Sequence, residues 1–228
     1  MIKFQKLKNL KGEYVSLADV WFTSDTHFSH KNIVKGQSNW HEKDEQGNII
    51  SYSQGCRDFD TVEEMDNHLV DQINKYVRED DVLIHCGDWS FGGRENIAKF
   101  FDQINCGSIY HIEGNHDHNY TAFVDVMNTR PYRLRYSGQL GYFQSQGVKF
   151  FCSHYPTMFF HQYAKPNVYH VFGHVHGSFS GHGKSMDVGI DNAYKMSGEY
   201  RPFNAAEVIN ICSKKEIVFE THHTPYTN

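Results

Sequence analysis

Residues 108–117 read SIYHIEGNHD, an apolar segment that runs directly into a turn of glycine, asparagine, histidine and aspartate. Ser108–Ile112 is expected to form a strand, and Gly114 permits an unusual backbone conformation just after it. The amide oxygen of Asn115 can bind a metal ion, and the ring of His116 would then project toward the molecule bound there. An exposed polar turn can have the same composition, so this segment alone does not establish a metal site. The other motifs of the chain decide between the two interpretations.

The same arrangement, a metal-ligand side chain directly after a predicted strand, recurs at four other places. They are Asp25-x-His27, Gly87-Asp88, Ser153-His154 and Gly173-His174-Val175-His176. Alternate residues of an extended segment point the same way, so Asp25 and His27 can reach one ion. The imidazoles of His174 and His176 are costly to place after a buried strand without a partner, and a metal is the usual partner. With Asn115, the motifs supply seven oxygen or nitrogen ligands, enough for two ions.

The predicted elements alternate between strand and helix in the first half of the chain, which indicates parallel strands and an α/β fold. Thr61 and Glu64 form a capping box before an apolar helical stripe that runs from Val62 to Val77. The polar stretch from Lys35 to Arg57 is expected to be a long loop. The other expected strands are Ala18–Ser24, Val82–Cys86, Val148–Cys152, Val168–Phe172 and Met186–Ile190, and the other expected helices are Arg94–Ile104, Tyr120–Met127 and a terminal helix capped by Asn204. Functional sites of open α/β sheets lie beyond the carboxyl ends of the strands, so one edge of the fold can collect all five motifs.

Length and composition limit the possible classes of protein. A chain of 228 residues can bury one sizeable core, so we expect a single domain over residues 1–228. The net charge of −5 gives no general basic surface, which argues mildly against tight binding to long nucleic acids. No apolar run approaches the roughly 20 residues of a membrane span, and no apolar segment follows the basic residues 1–12 as in a secretory signal. Five scattered cysteines without a CxxC pair indicate reduced thiols in a cytoplasmic protein.

Taken in order, the five motifs resemble the calcineurin-like metallophosphoesterase superfamily, whose pattern is D-x-H, GD, GNH-D/E, H and GH-x-H. Every block is matched from Asp25 to His176, about two thirds of the chain. Residues 23–28, 89–92 and 153–156 are similar to the small bacterial and phage phosphoesterases of that superfamily. The Arg-Pro-Phe usual among them is replaced here by Arg57-Asp58-Phe59, which is a departure.

The resemblance implies a fold, an activity and a set of roles. The implied fold is a four-layer α-β-β-α sandwich of two mixed sheets, and the implied activity is metal-dependent hydrolysis of phosphate esters. One metal would be bound by Asp25, His27, Asp88 and His176, and the other by Asp88, Asn115, His154 and His174. His116 would protonate the leaving alcohol or stabilise charge in the transition state, with Asp117 in support.

The ligand chemistry agrees with this reading. A site of oxygen and nitrogen ligands without a thiolate suits Mn²⁺, Fe, Zn²⁺, Co²⁺ or Ni²⁺, and we favour Mn²⁺. Two such ions lower the pKa of a water molecule and neutralise charge on a phosphate. Asp88 suits a bridging role, because one carboxylate can offer an oxygen to each ion.

The substrate is less well determined by the sequence. We expect a small-molecule phosphate ester or nucleotide, and a diester rather than a monoester, because the motif segments contain no lysine or arginine to clamp a dianion. Arg57 is a candidate phosphate contact, although a plain surface arginine fits equally well. His161 and Tyr163 are candidates for a pocket that receives a base or leaving group, and packing residues are the alternative. Trp40, Tyr52, Phe159 and Phe160 are further aromatic candidates for the same pocket.

Two other classes of function are compatible with these motifs. A binding scaffold that has lost catalysis would lack some ligands or His116, and none of these residues is missing. A nuclease would share the site but would be expected to carry a basic groove. Membrane association is not expected, and the oligomeric state stays open.

Overall fold

The computed structural model describes residues 2–52, 55–117, 120–130 and 133–217, and their side chains except at 41, 42, 49–52, 120 and 127. The strands are β1 (Gln5–Lys6), β2 (Val20–Thr23), β3 (His41–Lys43), β4 (Ile49–Tyr52), β5 (Val82–His85), β6 (Ser108–Ile112), β7 (Leu134–Gly138), β8 (Leu140–Ser145), β9 (Val148–Ser153), β10 (Val168–Phe172), β11 (Ser185–Asp187) and β12 (Phe203–Asn204). The helices are α1 (Val62–Tyr76), α2 (Arg94–Gln103), α3 (Tyr120–Asn128), α4 (Ile190–Ser197) and α5 (Ala205–Cys212).

The first sheet has the strand order β12-β2-β5-β6-β7. Its strands β2, β5, β6 and β7 run parallel, and β12 is antiparallel to β2. Helices α1, α2 and α3 connect these parallel strands in turn. The alternation of strand and helix predicted from the sequence is therefore confirmed. All four parallel strands present their carboxyl ends at one edge of the sheet.

The second sheet has the order β1-β8-β9-β10-β11, in which only the β8–β9 pair is antiparallel. Its inner face packs on the inner face of the first sheet. The contact is apolar on both sides, and Phe22 of the first sheet meets Phe150 of the second with ring centroids 4.8 Å apart. Two mixed sheets with flanking helices form an α/β sandwich, as predicted.

The two outer faces are covered differently. On the first sheet, Leu83 and Ile109 pack against apolar residues of α1, α2 and α3. On the second sheet, residues 155–165 lie over the outer face as a chain of turns rather than a helix. Phe160 of this segment stacks on Phe151 of β9 at 5.6 Å. Among the described residues, this loop takes the place of a helix over that part of the outer layer.

Capping residues behave as the sequence indicates. The Thr61 hydroxyl accepts a hydrogen bond from the Glu64 amide at 3.1 Å, and Asn204 accepts one from the Ala206 amide at 3.0 Å. These bonds satisfy amide groups that the first helical turn leaves unpaired. The helices α1 and α5 begin directly after these two caps.

Two local predictions were wrong. The expected strand Met186–Ile190 ends at Asp187, and Ile190 starts α4. The Asp187 carboxylate accepts a hydrogen bond from the Gly189 amide at 2.7 Å, which turns the chain out of the sheet. The apolar residues suggested one continuous strand, but they are buried in different places. Met186 packs between the sheets, whereas Ile190 packs beside α1. The expected loop at residues 35–57 contains the β3–β4 hairpin.

No helix in the described ranges is both long enough and apolar enough to cross a membrane.

Candidate metal centre

The seven predicted ligands lie on turns that follow β2, β5, β6, β9 and β10, where the carboxyl ends of strands from both sheets meet. Five of these residues have a left-handed backbone: Asp25 (φ 55°), His27 (φ 48°), Asp88 (φ 57°), His174 (φ 72°) and His176 (φ 48°). Such a conformation costs about 1–3 kcal/mol in a residue with a side chain and persists where the surroundings enforce it, often at functional sites. The strain is therefore concentrated on the predicted ligands.

Glycines allow these turns to approach one another closely. A Cβ atom on Gly114 would lie 2.3 Å from the backbone nitrogen of Asp88. A Cβ atom on Gly173 would lie 1.9 Å from the Ser24 hydroxyl and 2.5 Å from an Asp25 carboxylate oxygen. All three distances are far below van der Waals contact, so glycine is required at both positions by the close approach of the turns. Neither Gly114 nor Gly173 has a positive φ, so the unusual backbone conformation expected at Gly114 is not what requires glycine there.

Asp25, His27 and His176 form one cluster, in which one potential ligand atom from each residue lies within 4.8 Å of the others. His27 is buried, and neither of its ring nitrogens has a hydrogen-bond partner among the described residues. Burial, aided by the positive charge of Arg57, holds the pKa of His27 well below its usual range. The ring is thus in the neutral form that binds metals, and a cation at this point would satisfy it.

The carboxyl group of Asp25 is also matched to a cation. Burial raises the pKa of Asp25 to about 8; His176 opposes the shift, whereas the negative charges of Asp88 and Asp187 add to it. A buried carboxylate without a counter-charge is unfavourable, and a divalent ion would supply that charge.

Asn115, His154 and His174 form the second cluster. The Asn115 amide oxygen lies 2.8 Å from His154 Nε2 and 2.8 Å from His174 Nδ1. His154 Nδ1 lies 2.9 Å from the Cys86 carbonyl, an acceptor only, so Nδ1 carries the proton. In a neutral ring Nε2 is then an acceptor that faces the acceptor oxygen of Asn115. A cation bound by these two side chains would relieve this contact.

Asp88 lies between the two clusters. Its Oδ2 atom is 3.4 Å from His27 Nε2 and 3.5 Å from His154 Nε2. Its Oδ1 atom accepts a hydrogen bond from the His116 amide at 2.8 Å. Asp88 also groups with Asp25 and His154 within 4.8 Å. Asp88 is therefore near potential ligands of both clusters, and the oxygen and nitrogen atoms of both clusters fit divalent metals.

His116 and Asp117 follow Asn115 but face different neighbours. The ring of His116 lies 5.2 Å from the ring of His27, centroid to centroid, and is partly exposed. The buried Asp117 carboxylate accepts hydrogen bonds from the amides of Asp88 at 2.9 Å, Trp89 at 3.0 Å and Gly114 at 2.8 Å. The recorded bonds of Asp117 therefore brace the turns that carry Asp88 and Asn115. Support of His116 by Asp117 stays a prediction from the sequence.

Arg57 does not contact the solvent side of the site, and the prediction of a phosphate contact was wrong. Its side chain is completely buried. Nε and Nη2 bind the two oxygens of Asp191 at 2.9 and 2.8 Å, and Nη2 also donates to the Asp25 carbonyl at 2.5 Å. Nη1 donates to the Thr26 carbonyl at 2.7 Å and to Met65 Sδ at 3.5 Å. These contacts account for all five N–H groups, so no donor is left for a substrate.

The same network reaches a predicted ligand. Asp191 accepts a hydrogen bond from His176 Nδ1 at 2.6 Å, which leaves Nε2 of His176 free to face Asp25 Oδ1 at 4.0 Å. Metal-bound histidines are commonly oriented by such a carboxylate. Arg57 thus holds both the backbone of Asp25 and the residue that orients His176.

His161 and Tyr163, the candidates for a substrate pocket, lie on the outer face of the second sheet. They line an open cavity of about 830 Å³ on the outer face of the second sheet, together with Ile2, Leu140, Tyr142 and Phe159. His161 stacks on Phe4 at 5.9 Å. None of the seven predicted ligands lines this cavity. The structure therefore does not bring His161 or Tyr163 to the metal ligands, and the side chain of Tyr52 lies outside the described residues.

A family model agrees with this geometry: the model of the calcineurin-like phosphoesterases matches residues 18–227. The chain belongs to the calcineurin-like phosphoesterase family. Members of this family typically bind two divalent metals.

This chain is also similar to three individual proteins, one in sequence and two in structure. An uncharacterized protein of Methanocaldococcus jannaschii is 30% identical over 105 residues, which is 45% of this chain and 49% of that protein. This chain thus spans about half the length of that relative. A crystal structure of a protein of unknown function from Aquifex aeolicus matches 84% of this chain and 98% of its own, with 18% identity and a TM-score of 0.54. An archaeal phosphodiesterase structure overlaps 78% of this chain and 87% of its own, at 17% identity and a TM-score of 0.43.

Sequence reasoning missed the polar residues beneath the ligand turns. His85 is the last residue of the buried strand β5, and His111 lies within the buried strand β6. Both side chains are completely buried. His85 Nε2 lies 2.9 Å from the Thr26 hydroxyl, and His111 Nε2 lies 3.2 Å from Asp117 Oδ2. The available signal was a histidine inside an apolar strand, since a buried imidazole requires a polar partner.

Asp191→Asn is expected to weaken Mn²⁺ binding at one of two sites by about 10- to 100-fold, because it removes the carboxylate that orients His176. Calorimetric titration with Mn²⁺ should resolve the weakened site from an unchanged one. Glu207→Gln is the matched control, because Glu207 also forms a two-pronged pair with an arginine, Arg201. Equal Mn²⁺ affinity in wild type and Asp191→Asn would rule out the orienting role.

Proposed function

We propose that this protein hydrolyses phosphodiesters of small molecules or nucleotides at a centre that binds two divalent ions. Asp25, His27, Asp88 and His176 would hold one ion, and Asp88, Asn115, His154 and His174 the other. The observation that carries the proposal is the position of Asp88 Oδ2, 3.4 Å from a nitrogen of the first set and 3.5 Å from a nitrogen of the second. Mn²⁺ as the metal, one domain over residues 1–228 and a cytoplasmic location stay predictions from the sequence.

Different side chains have different roles in the proposed reaction. Bound divalent ions would neutralise charge on the phosphate and lower the pKa of a water molecule. The ligand turns, held by Asp117 and Arg57, keep the site in one geometry, so little reorganisation is needed during reaction. His116 is partly exposed beside His27 and would give a proton to the leaving oxygen.

The preference for a diester is supported by the cations near the motifs. A monoester dianion usually needs additional positive groups, whereas a diester carries one negative charge. Arg57 is buried with all donors used, and Arg94 pairs with Asp125 at 2.6 Å between α2 and α3. Arg57 therefore has no donor left for a phosphate, and Arg94, the other arginine near the motifs, already pairs with a carboxylate through Nη2.

Bis-(p-nitrophenyl) phosphate is expected to be a better substrate than p-nitrophenyl phosphate. The test compares kcat/KM for both compounds at one pH with excess Mn²⁺, and repeats both after exhaustive chelation. Chelation should abolish both activities, and Mn²⁺ should restore them. A clear advantage for the monoester would reverse the assignment of substrate class. Activity that survives complete removal of metal would contradict the proposed centre itself.

A further inference from the structure

A group of aromatic rings lies directly beside His116. His30 and Phe91 stack with their centroids 4.2 Å apart and their planes at 9°. Each of the two rings lies 6.0 Å from the ring of His116. Trp40 meets His30 edge to face at 5.6 Å. We call Trp40, His30 and Phe91 the aromatic wall; it continues from His27 and His116 toward the surface.

Two members of the wall are exposed although they are large and apolar. Phe91 is 41% exposed and Trp40 is 44% exposed, whereas His30 behind them is only 6% exposed. The nearby Trp89, in the same turn as Phe91, is completely buried. Exposed rings beside a catalytic histidine leave apolar area available to a bound molecule.

Phe91 is held in place by its backbone. Its amide donates to the Phe28 carbonyl at 2.7 Å, and its carbonyl accepts a hydrogen bond from the Asn96 side chain at 2.7 Å. The adjacent Ser90 forms a β-bridge with Phe28. The backbone of Phe91 is thus fixed before any ligand arrives, which reduces the entropy lost on binding.

The position of the wall relative to His116 indicates which part of a substrate it would meet. A general acid must lie within hydrogen-bond reach of the leaving oxygen, so the leaving group must lie next to His116. The neighbours of His116 on this side are Phe91 and His30, with Trp40 beyond. We infer that the aromatic wall is a subsite for the leaving group, and that it stacks the planar ring of a nucleoside or another aromatic alcohol. This inference rests on the proposed function.

Stacking on an aromatic side chain would favour such leaving groups. Base–aromatic stacking contributes about 1–3 kcal/mol per ring, which corresponds to roughly 5- to 150-fold in binding. The expected effect of removing one ring of the wall is a loss within that range, confined to substrates with a planar leaving group. A substrate with a compact aliphatic leaving group should lose little.

The test compares two diesters of similar leaving-group acidity, phenyl methyl phosphate and hexafluoroisopropyl methyl phosphate, in wild type, Phe91→Ala and Trp40→Ala. Phe159→Ala is the matched control, because Phe159 is 53% exposed but lines the cavity on the outer face of the second sheet. We expect kcat/KM for the phenyl ester to fall roughly 5- to 150-fold in the two wall variants and to stay unchanged in the control. The fluoroalkyl ester should be hydrolysed equally well by all four proteins.

The outcomes distinguish failure of the aromatic subsite from failure of the proposed hydrolysis of phosphodiesters. Equal losses for both esters in Phe91→Ala would mean that the ring only supports His116, and would overturn the subsite. If wild type hydrolyses neither diester, the proposed function fails. The aromatic subsite is then tested by ligand binding alone. Quenching of Trp40 fluorescence by adenosine in wild type but not in Phe91→Ala would support the wall, with Trp40→Phe as the spectroscopic blank. No quenching in wild type would refute it.

Discussion

Replacement of Asp88 by asparagine is expected to lower kcat/KM by roughly 10²- to 10³-fold or more and to leave fewer than two Mn²⁺ ions per chain. The reason is the position of Asp88 Oδ2, which lies between His27 Nε2 and His154 Nε2 at 3.4 and 3.5 Å. An amide oxygen at the position of Oδ2 would carry no formal negative charge, so it would hold two cations far less strongly than the carboxylate does. Each ion contributes several kcal/mol of charge stabilisation, and about 1.4 kcal/mol corresponds to tenfold in rate.

The experiment measures bound metal by elemental analysis after loading with excess Mn²⁺ and removal of the free ion. Wild type is expected to retain two ions. Asp66→Asn is a suitable control, because Asp66 is also a buried carboxylate, bound to the Ser29 amide at 2.8 Å, but belongs to neither cluster. Asp88→Asn with two ions and normal activity would show that Asp88 does not bridge. A wild-type maximum of one ion would overturn the two-metal proposal.

The candidate ligands could be predicted from the sequence because their positions follow a local pattern. Each candidate ligand lies in a local pattern, a strand followed by a short turn that carries a polar side chain. Parallel strands bring their carboxyl ends to one edge of a sheet. The predicted strands were therefore enough to place the five separate motifs together. The left-handed backbone at Asp25, Asp88 and His174 could not be predicted from the sequence, because even aspartate and histidine, which adopt it more often than most residues, do so at a small share of positions.

Other placements depended on partners distant in sequence. The role of Arg57 is decided by Asp191, which lies 134 residues further along the chain and at the start of a helix that the sequence analysis missed. His161 follows the His154 motif by only seven positions, yet it packs on Phe4 near the start of the chain. In both cases a residue close to a motif in sequence makes its contacts with residues that are distant in sequence.

His116→Gln is expected to retain both metal ions and to lose about 10²- to 10⁴-fold in kcat for diesters with poor leaving groups, the range typical of general acids. The ring of His116 belongs to neither cluster of candidate ligands, and its amide, which glutamine keeps, donates to Asp88 at 2.8 Å. Metal content should therefore stay at the wild-type value. His161→Gln is the matched control, because its ring lies in the cavity on the outer face of the second sheet.

The dependence on leaving group separates two roles that His116 could play. If its imidazolium gives a proton to the leaving oxygen, the loss in His116→Gln should shrink as the leaving group becomes more acidic, because a stable phenolate departs without a proton. A series of aryl methyl phosphates with increasingly acidic phenols measures this trend, since the planar ring and its contact with the aromatic wall stay constant along the series. Equal losses across the series would exclude leaving-group protonation and assign His116 to stabilisation of charge on the phosphate.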